Sequence, residues 1–327
     1  MQIRSMTLGG VLSAVVIALV AQAASSLAHA EPGAAAARQA TIAQQPPSAE
    51  LRYDESGRPV ISTQVNGKGP FDMVVDTAAQ TTFLAPGLVE ELQLTPLQTD
   101  QNISGASGQA QVRTYPLSSL SSDLFSVEGT VAPGLPNASV TQARGVIGMD
   151  LFLQRRLVFD REAGRLFATA SGTMGAGFAS HAGRAFAGNF IIVPVMLDGV
   201  PVQAVIDSGA ARTIANDAAR SALGYTQNDP RLSETHAVRG ATEDATEAHR
   251  SSVAVFDIGP ARFEDVFVTF SNLPVFRVLG LADQPALILG SDVLNRLPAY
   301  AVDFPRAELQ MRIPESAPIA GSGARQE

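Results

Sequence analysis

Cysteine is absent from the 327 residues, which removes disulfides, thiol catalysis and thiolate-bound metals together. Stability must then rest on packed apolar cores, and 46% hydrophobic against 17% charged residues can supply them. Lysine occurs once, at Lys68, and 23 basic residues stand against 31 acidic ones, a net charge of −8. Without clustered Lys and Arg, no nucleic-acid surface is expected. Histidine is scarce: beyond residue 30 there are His181, His236 and His249, with no H-x-x-x-H spacing and no G-x-S-x-G elbow. A zinc site and a Ser-His-Asp triad are disfavoured, no metal or cofactor is expected, and these histidines read as solvated loop residues.

Long hydrophobic runs are also lacking. Val11 to Ala24 is apolar but interrupted by Ser13 and Gln22, and it is short for a membrane span of about 20 residues. Arg4 precedes it and Ala28-His29-Ala30 follows, so residues 1–30 have the layout of a secretory signal cleaved after Ala30. The expectation is a bacterial protein that is periplasmic or secreted, with no stable membrane insertion after signal cleavage.

What is present is a duplication. Val205-Ile206-Asp207-Ser208-Gly209-Ala210 carries a carboxylate to the end of an apolar strand and then turns, and Val74-Val75-Asp76-Thr77-Ala78-Ala79 repeats this order 131 residues earlier. Upstream of each lies a hairpin pattern, turning at Asn66-Gly67 and at Asp198-Gly199. Downstream, Gly105-Ala106-Ser107 parallels Gly240-Ala241-Thr242, and Val146-Ile147-Gly148 parallels Ile288-Leu289-Gly290. Strands ending in Asp160 and Asp303 close each unit, and both aspartates read as structural. Landmarks in one order, with insertions between them, describe an internal repeat whose loops have drifted. The divisions expected are a signal at 1–30, a flexible segment at 31–50, a first lobe at 51–170, a linker at 171–185, a second lobe at 186–315 and a disordered tail at 316–327. Short Val/Ile-rich strands with Gly and Pro turns make both lobes all-β.

Asp-Ser-Gly after one strand is an ordinary turn, because Asp and Ser bond their own backbone and Gly accepts positive φ. Two copies with their glycines in step point to a shared centre. Amide hydrolysis by two carboxylates needs them a hydrogen bond apart on rigid backbone, one protonated and one ionised. Like charges about 3 Å apart cannot both ionise, so such a pair titrates in two separated steps.

These residues resemble the retropepsin-like branch of aspartic peptidases and, by extension, the two-lobed pepsin-like enzymes. The shared motif is hydrophobic-hydrophobic-Asp-Thr/Ser-Gly-Ala, a glycine-containing flap, then hydrophobic-hydrophobic-Gly. The resemblance covers most of residues 55–312 and implies an acid-protease fold of two homologous lobes with the active site between them. It implies that Asp76 and Asp207 share a lytic water, that Thr77 and Ser208 brace the two loops, and that flaps at Gly105, Ala106, Gly240 and Ala241 close over an extended peptide. Ala78 departs from the pattern where Gly209 keeps it, and a Cβ there is expected to crowd the pair or to demand a different backbone. The expected function is an exported aspartic endopeptidase acting on a peptide or protein substrate, without nucleic-acid partners, as a monomer whose lobes form an intramolecular pseudo-dimer. The alternative is a silent homologue that binds extended peptides in the same cleft.

Overall fold

The computed structural model describes residues 14–15, 19–20, 46–137, 141–187, 190–226, 229–234, 237–242 and 245–313. Arg4, the Ala28-His29-Ala30 site, His236 and the 316–327 tail lie outside them.

Each half begins with a hairpin whose second strand leads into an aspartate. Pro59–Val65 pairs antiparallel with Lys68–Val75, and Phe190–Leu197 with Val200–Ile206. Their turns hold positive φ at both central residues, 53° and 70° at Asn66-Gly67 and 45° and 81° at Asp198-Gly199, the twist-matched geometry for a two-residue hairpin. Val74 and Val75 are both fully buried, as are Val205 and Ile206, because each strand is covered on both faces.

On its other edge each of these strands receives a short parallel strand, Gly145–Ile147 in the first half and Ala286–Leu289 in the second. That strand also pairs antiparallel with the chain leaving the aspartate loop, at Phe83–Leu84 and at Ile214–Ala215. Each aspartate loop is therefore clamped between strands. The amides of Asp76 and Asp207 donate to the carbonyls of Ile147 and Leu289, both at 3.1 Å.

The halves meet in a six-stranded sheet. Its central pair is Arg156–Asp160 against Ala299–Asp303, antiparallel with Val158 opposite Ala301. Arg165–Thr169 and Ser48–Glu50 extend it on one side, and Glu308–Arg312 and Phe178–Ala182 on the other. Three strands from each half thus flank an approximate two-fold axis. Phe159 and Tyr300 stack at its heart, with ring centroids 4.6 Å apart.

Two expectations need correction here. Residues 171–185 are not simply a linker, since Phe178–Ala182 is a strand of this sheet; and Ser48–Glu50, in the segment read as flexible, is its outermost strand on the other side. Both are short, rich in small or polar residues and paired with strands far away in sequence, so nothing local announces them. His181 and His249, read as loop residues, lie in the strands Phe178–Ala182 and His249–Ile258, His249 as the first residue of its strand. Asp303 ties the crossing segment down, accepting from the Ser171 hydroxyl at 2.7 Å and the Gly172 amide at 2.9 Å.

The glycines closing the short parallel strands sit under the aspartate loops with no room for a side chain. A Cβ on Gly148 would run into the Thr81 carbonyl group, and one on Gly290 would lie 2.5 Å from the Arg212 carbonyl carbon and 3.0 Å from the Ala210 oxygen. Gly148→Ala and Gly290→Ala should each destabilise the fold by about 1–3 kcal/mol, a fall in Tm of roughly 2–10 °C measurable by differential scanning fluorimetry.

Candidate active site

Asp76 and Asp207 emerge at the ends of the two clamped strands and both have zero exposure. The loops carrying them are locked to one another. The Thr77 amide donates to Ser208 Oγ at 3.1 Å, and the Ser208 amide donates to Thr77 Oγ1 at 2.9 Å. Each hydroxyl then donates across the interface, Thr77 Oγ1 to the Ile206 carbonyl at 3.0 Å and Ser208 Oγ to the Val75 carbonyl at 2.7 Å. Both hydroxyls are thereby satisfied as donor and acceptor while buried, the condition under which a polar network rigidifies rather than destabilises.

One oxygen of each carboxylate is held by its own loop, Asp76 Oδ1 by the Ala78 amide and Asp207 Oδ1 by the Ala210 amide, both at 2.8 Å. The other oxygen, Oδ2 in both residues, is buried without a donor from any surrounding group. The two carboxyl groups are near enough to act on each other by a side-chain hydrogen bond. Both groups lie above the usual carboxylate range. For Asp76 burial is the largest cause and the neighbouring Asp207 charge the next; for Asp207 burial again dominates, opposed first by the Ala210 amide. The bond between them favours the proton on Asp76 and the charge on Asp207, although the titration belongs to the pair.

The halves are not identical. A Cβ on Gly209 would overlap the Asp76 carboxylate and lie 2.9 Å from its Cβ. Its counterpart Ala78 does carry a methyl group, which belongs to a buried apolar cluster with Ala106, Val205, Ala210 and Ile288. Ala78 has no positive φ, so the chain accommodates it without left-handed backbone. The difference appears instead in the hydrogen bonds: the closest amide to Oδ1 is two residues after Asp76 but three after Asp207.

Above the carboxylates stand two hairpin tips, Gly105 to Gly108 and the turn after Val238–Gly240. Gly105, Ala106, Gly240 and Ala241 are all buried there. The tips cross: Ala106 joins the apolar cluster of the second half, while Ala241 joins Val74, Ala79, Phe83 and Val146 of the first. Ser107 and Thr242 share a hydrogen bond at 2.9 Å, the Gly240 amide donates to Ser107 Oγ at 3.0 Å, and Val275 donates to the Ala106 carbonyl at 3.2 Å. A Cβ on Gly105 would lie 3.1 Å from Thr242 Cγ2, so that glycine permits the crossing.

Sequence reasoning gave no role to four hydroxyl residues that the structure makes central. Ser107 and Thr242 form the bond between the tips. Thr82 and Thr213 stitch each aspartate loop to the turn beneath it, accepting from Gly148 at 3.2 Å and Gly290 at 3.1 Å and donating to Asp150 at 3.4 Å and Asp292 at 2.7 Å. The available signal was their recurrence at matched positions of the repeat.

Because both carboxyls are raised, the folded state binds more protons than the unfolded one above about pH 4, and stability falls as pH rises from there through the raised values. Asp76→Asn should therefore raise Tm at pH 7 by a few degrees, on the order of 2–4 °C per kcal/mol relieved. The gain should shrink toward zero as pH falls below about 4, and paired thermal melts at pH 7 and 3.5 measure it.

A family model described as aspartyl protease matches residues 61–151 and 193–293, one segment containing Asp76 and the other Asp207. No curated protein matches the chain. The matched segments make up more than half of the sequence and carry the two aspartate loops as tandem units, so the chain belongs to the aspartyl protease family, in its retropepsin-like branch.

Proposed function

We propose that the protein is an exported aspartic endopeptidase that hydrolyses peptide bonds with a water held by Asp76 and Asp207. The observation that carries this reading is the pair of buried Oδ2 atoms left without donors on two loops locked by reciprocal hydrogen bonds. Burial of an unsatisfied acceptor is costly, and a shared proton with a bound water removes that cost while setting up the chemistry.

In this mechanism Asp207 is the ionised member and accepts a proton from the water as its oxygen bonds to the scissile carbonyl carbon. Asp76 gives its proton to the carbonyl oxygen, forming a neutral gem-diol. Collapse breaks the C–N bond, with a proton delivered to the departing nitrogen, and yields a carboxylic acid and an amine. Thr77 and Ser208 position the carboxylates without touching substrate. The tips at Gly105, Ala106, Gly240 and Ala241 exclude water and offer backbone to an extended peptide. Secretion, with residues 1–30 as the signal, and action as a monomer complete the proposal.

Ala78 favours a second reading, a homologue that binds peptides without cutting them. The two separate in a cleavage assay on a mixed peptide library between acidic and neutral pH. Asp76→Ala and Asp207→Ala should each lower cleavage by about 10²–10⁴-fold or more with unchanged far-ultraviolet circular dichroism, and activity should need one proton on the pair, giving a bell-shaped pH profile. Full activity in either variant would rule out a shared pair, and binding without cleavage by the unaltered protein would establish the silent homologue. Gly209→Ala should abolish cleavage as well, since its methyl group overlaps the Asp76 carboxylate.

A further inference from the structure

Two elements bound the cleft in the second half, the Asp207 loop and the tip hairpin, and each supplies an arginine to the same corner. Arg212 lies in the loop, between Asp207 and the strand Ile214–Ala215. Arg250 is the second residue of His249–Ile258, the strand into which the tip hairpin returns. Backbone pairing holds the two segments together: Ile214 lies opposite Thr269, Thr269 lies opposite Arg250, and the Thr269 amide donates to the Thr213 carbonyl at 3.0 Å. The Arg250 guanidinium stands over the Phe267 ring, 4.2 Å from its centroid. That contact covers one face of the cation and leaves its N–H edge to other partners.

This corner holds more positive charge than it neutralises. Arg212 and Arg250 are both half-buried, and neither makes an ion pair or a side-chain hydrogen bond among the described residues. Burial first, and the Arg212 charge next, hold Arg250 below the ordinary guanidinium value. One carboxylate, Asp292, acts on both arginines, but it is engaged by the Thr213 hydroxyl at 2.7 Å and forms no ion pair with either. Two cations and one anion leave one positive charge in excess, and half-buried like charges held together are costly until an anion joins them. The feature belongs to one half only. Thr81 stands 131 residues before Arg212, the offset that also relates Asp76 to Asp207, and Asp150 matches Asp292. The first half therefore has the carboxylate without the loop guanidinium.

We propose that Arg212 and Arg250 form a subsite for the carboxylate side chain of a Glu or Asp in the bound peptide. A guanidinium matches a carboxylate through paired N–H donors, and a cationic corner present in one half makes the two directions of an extended peptide inequivalent. The cleft then reads an acidic residue on one fixed side of the bond to be cut. The inference rests on the peptide cleft proposed above, and it holds whether the peptide is cut or only bound.

The test uses peptides identical except for Glu or Gln at one position, with kcat/KM for cleavage and fluorescence anisotropy for binding measured on each. At one position, on one side of the scissile bond, Glu should be favoured over Gln by about tenfold. Arg212→Gln/Arg250→Gln should bring that ratio close to one, Arg212→Lys/Arg250→Lys should keep part of it, and Arg212→Glu/Arg250→Glu should favour Lys at the same position. The ratio is the readout, because a merely structural role for the arginines would lower both members of a pair alike. On the unaltered protein, raising salt from about 0.05 M to about 0.5 M should shrink the Glu preference several-fold, a measurement that needs no variant to fold. A Glu preference unchanged in the Gln variant, or absent at every position, would overturn the proposal. Cleavage dependent on Asp76 and Asp207 without any Glu preference would remove the subsite and leave the hydrolysis standing. Binding that prefers Glu and loses this preference in the Gln variant, without cleavage by the unaltered protein, would do the reverse. Neither binding nor cleavage of any peptide would overturn both.

Discussion

Two hydroxyl groups hold the centre of this molecule together. Thr77 and Ser208 each accept one hydrogen bond from the opposite loop and donate another to the opposite strand. A pair of buried carboxylates repels itself and resists desolvation, so it cannot supply its own cohesion. The four neutral bonds beside it do. They fix the separation of the loops independently of charge, so a change in protonation of the pair alters its energy without moving its frame. The clamping parallel strands, the glycines beneath the loops and the Thr82 and Thr213 links all reinforce that frame from below.

The approximate two-fold symmetry brings the two aspartate loops together, and small departures from it make their surroundings unequal. Two equivalent carboxylates would share a proton evenly. Here the loop amides differ in spacing, Ala78 replaces the glycine found at Gly209, and Ser291 donates from its hydroxyl to the Ser208 carbonyl at 2.8 Å where Met149 has no hydroxyl to offer. Arg58, itself buried, makes a further small contribution that lowers Asp207. These differences leave the two raised carboxyls in unequal surroundings, although the titration belongs to the pair. Duplication followed by local divergence is enough to make a symmetric frame unequal.

Much of this was legible in the sequence because repetition turned weak signals into a pattern. Asp76 and Asp207, the two I′-type turns and the Gly148 and Gly290 landmarks each mean little alone, yet their common order fixed the strands, the loops and the family. What stayed hidden depends on contacts between the halves. Phe178–Ala182 and Ser48–Glu50 have no marked apolar alternation and become strands only because a distant edge awaits them. Ser107 and Thr242 stand in register within the repeat, but their bond exists only once the tips cross. Ala78 was visible as a departure, and its effect could not be read without knowing that the chain there avoids positive φ and that its methyl group has an apolar cluster to enter.

The six-stranded sheet sets the order in which the molecule can become functional. Its members run from Ser48–Glu50 to Glu308–Arg312, so the pairing that brings the halves face to face cannot finish until Glu308–Arg312 has been synthesised. Contacts this distant in sequence close late, because the entropy of closing long loops must be met first. Until then each half has one aspartate and one loop hydroxyl and lacks the reciprocal bonds between Thr77 and Ser208. Synthesis itself thus keeps the two carboxylates apart, and they meet only as the last strands are laid down.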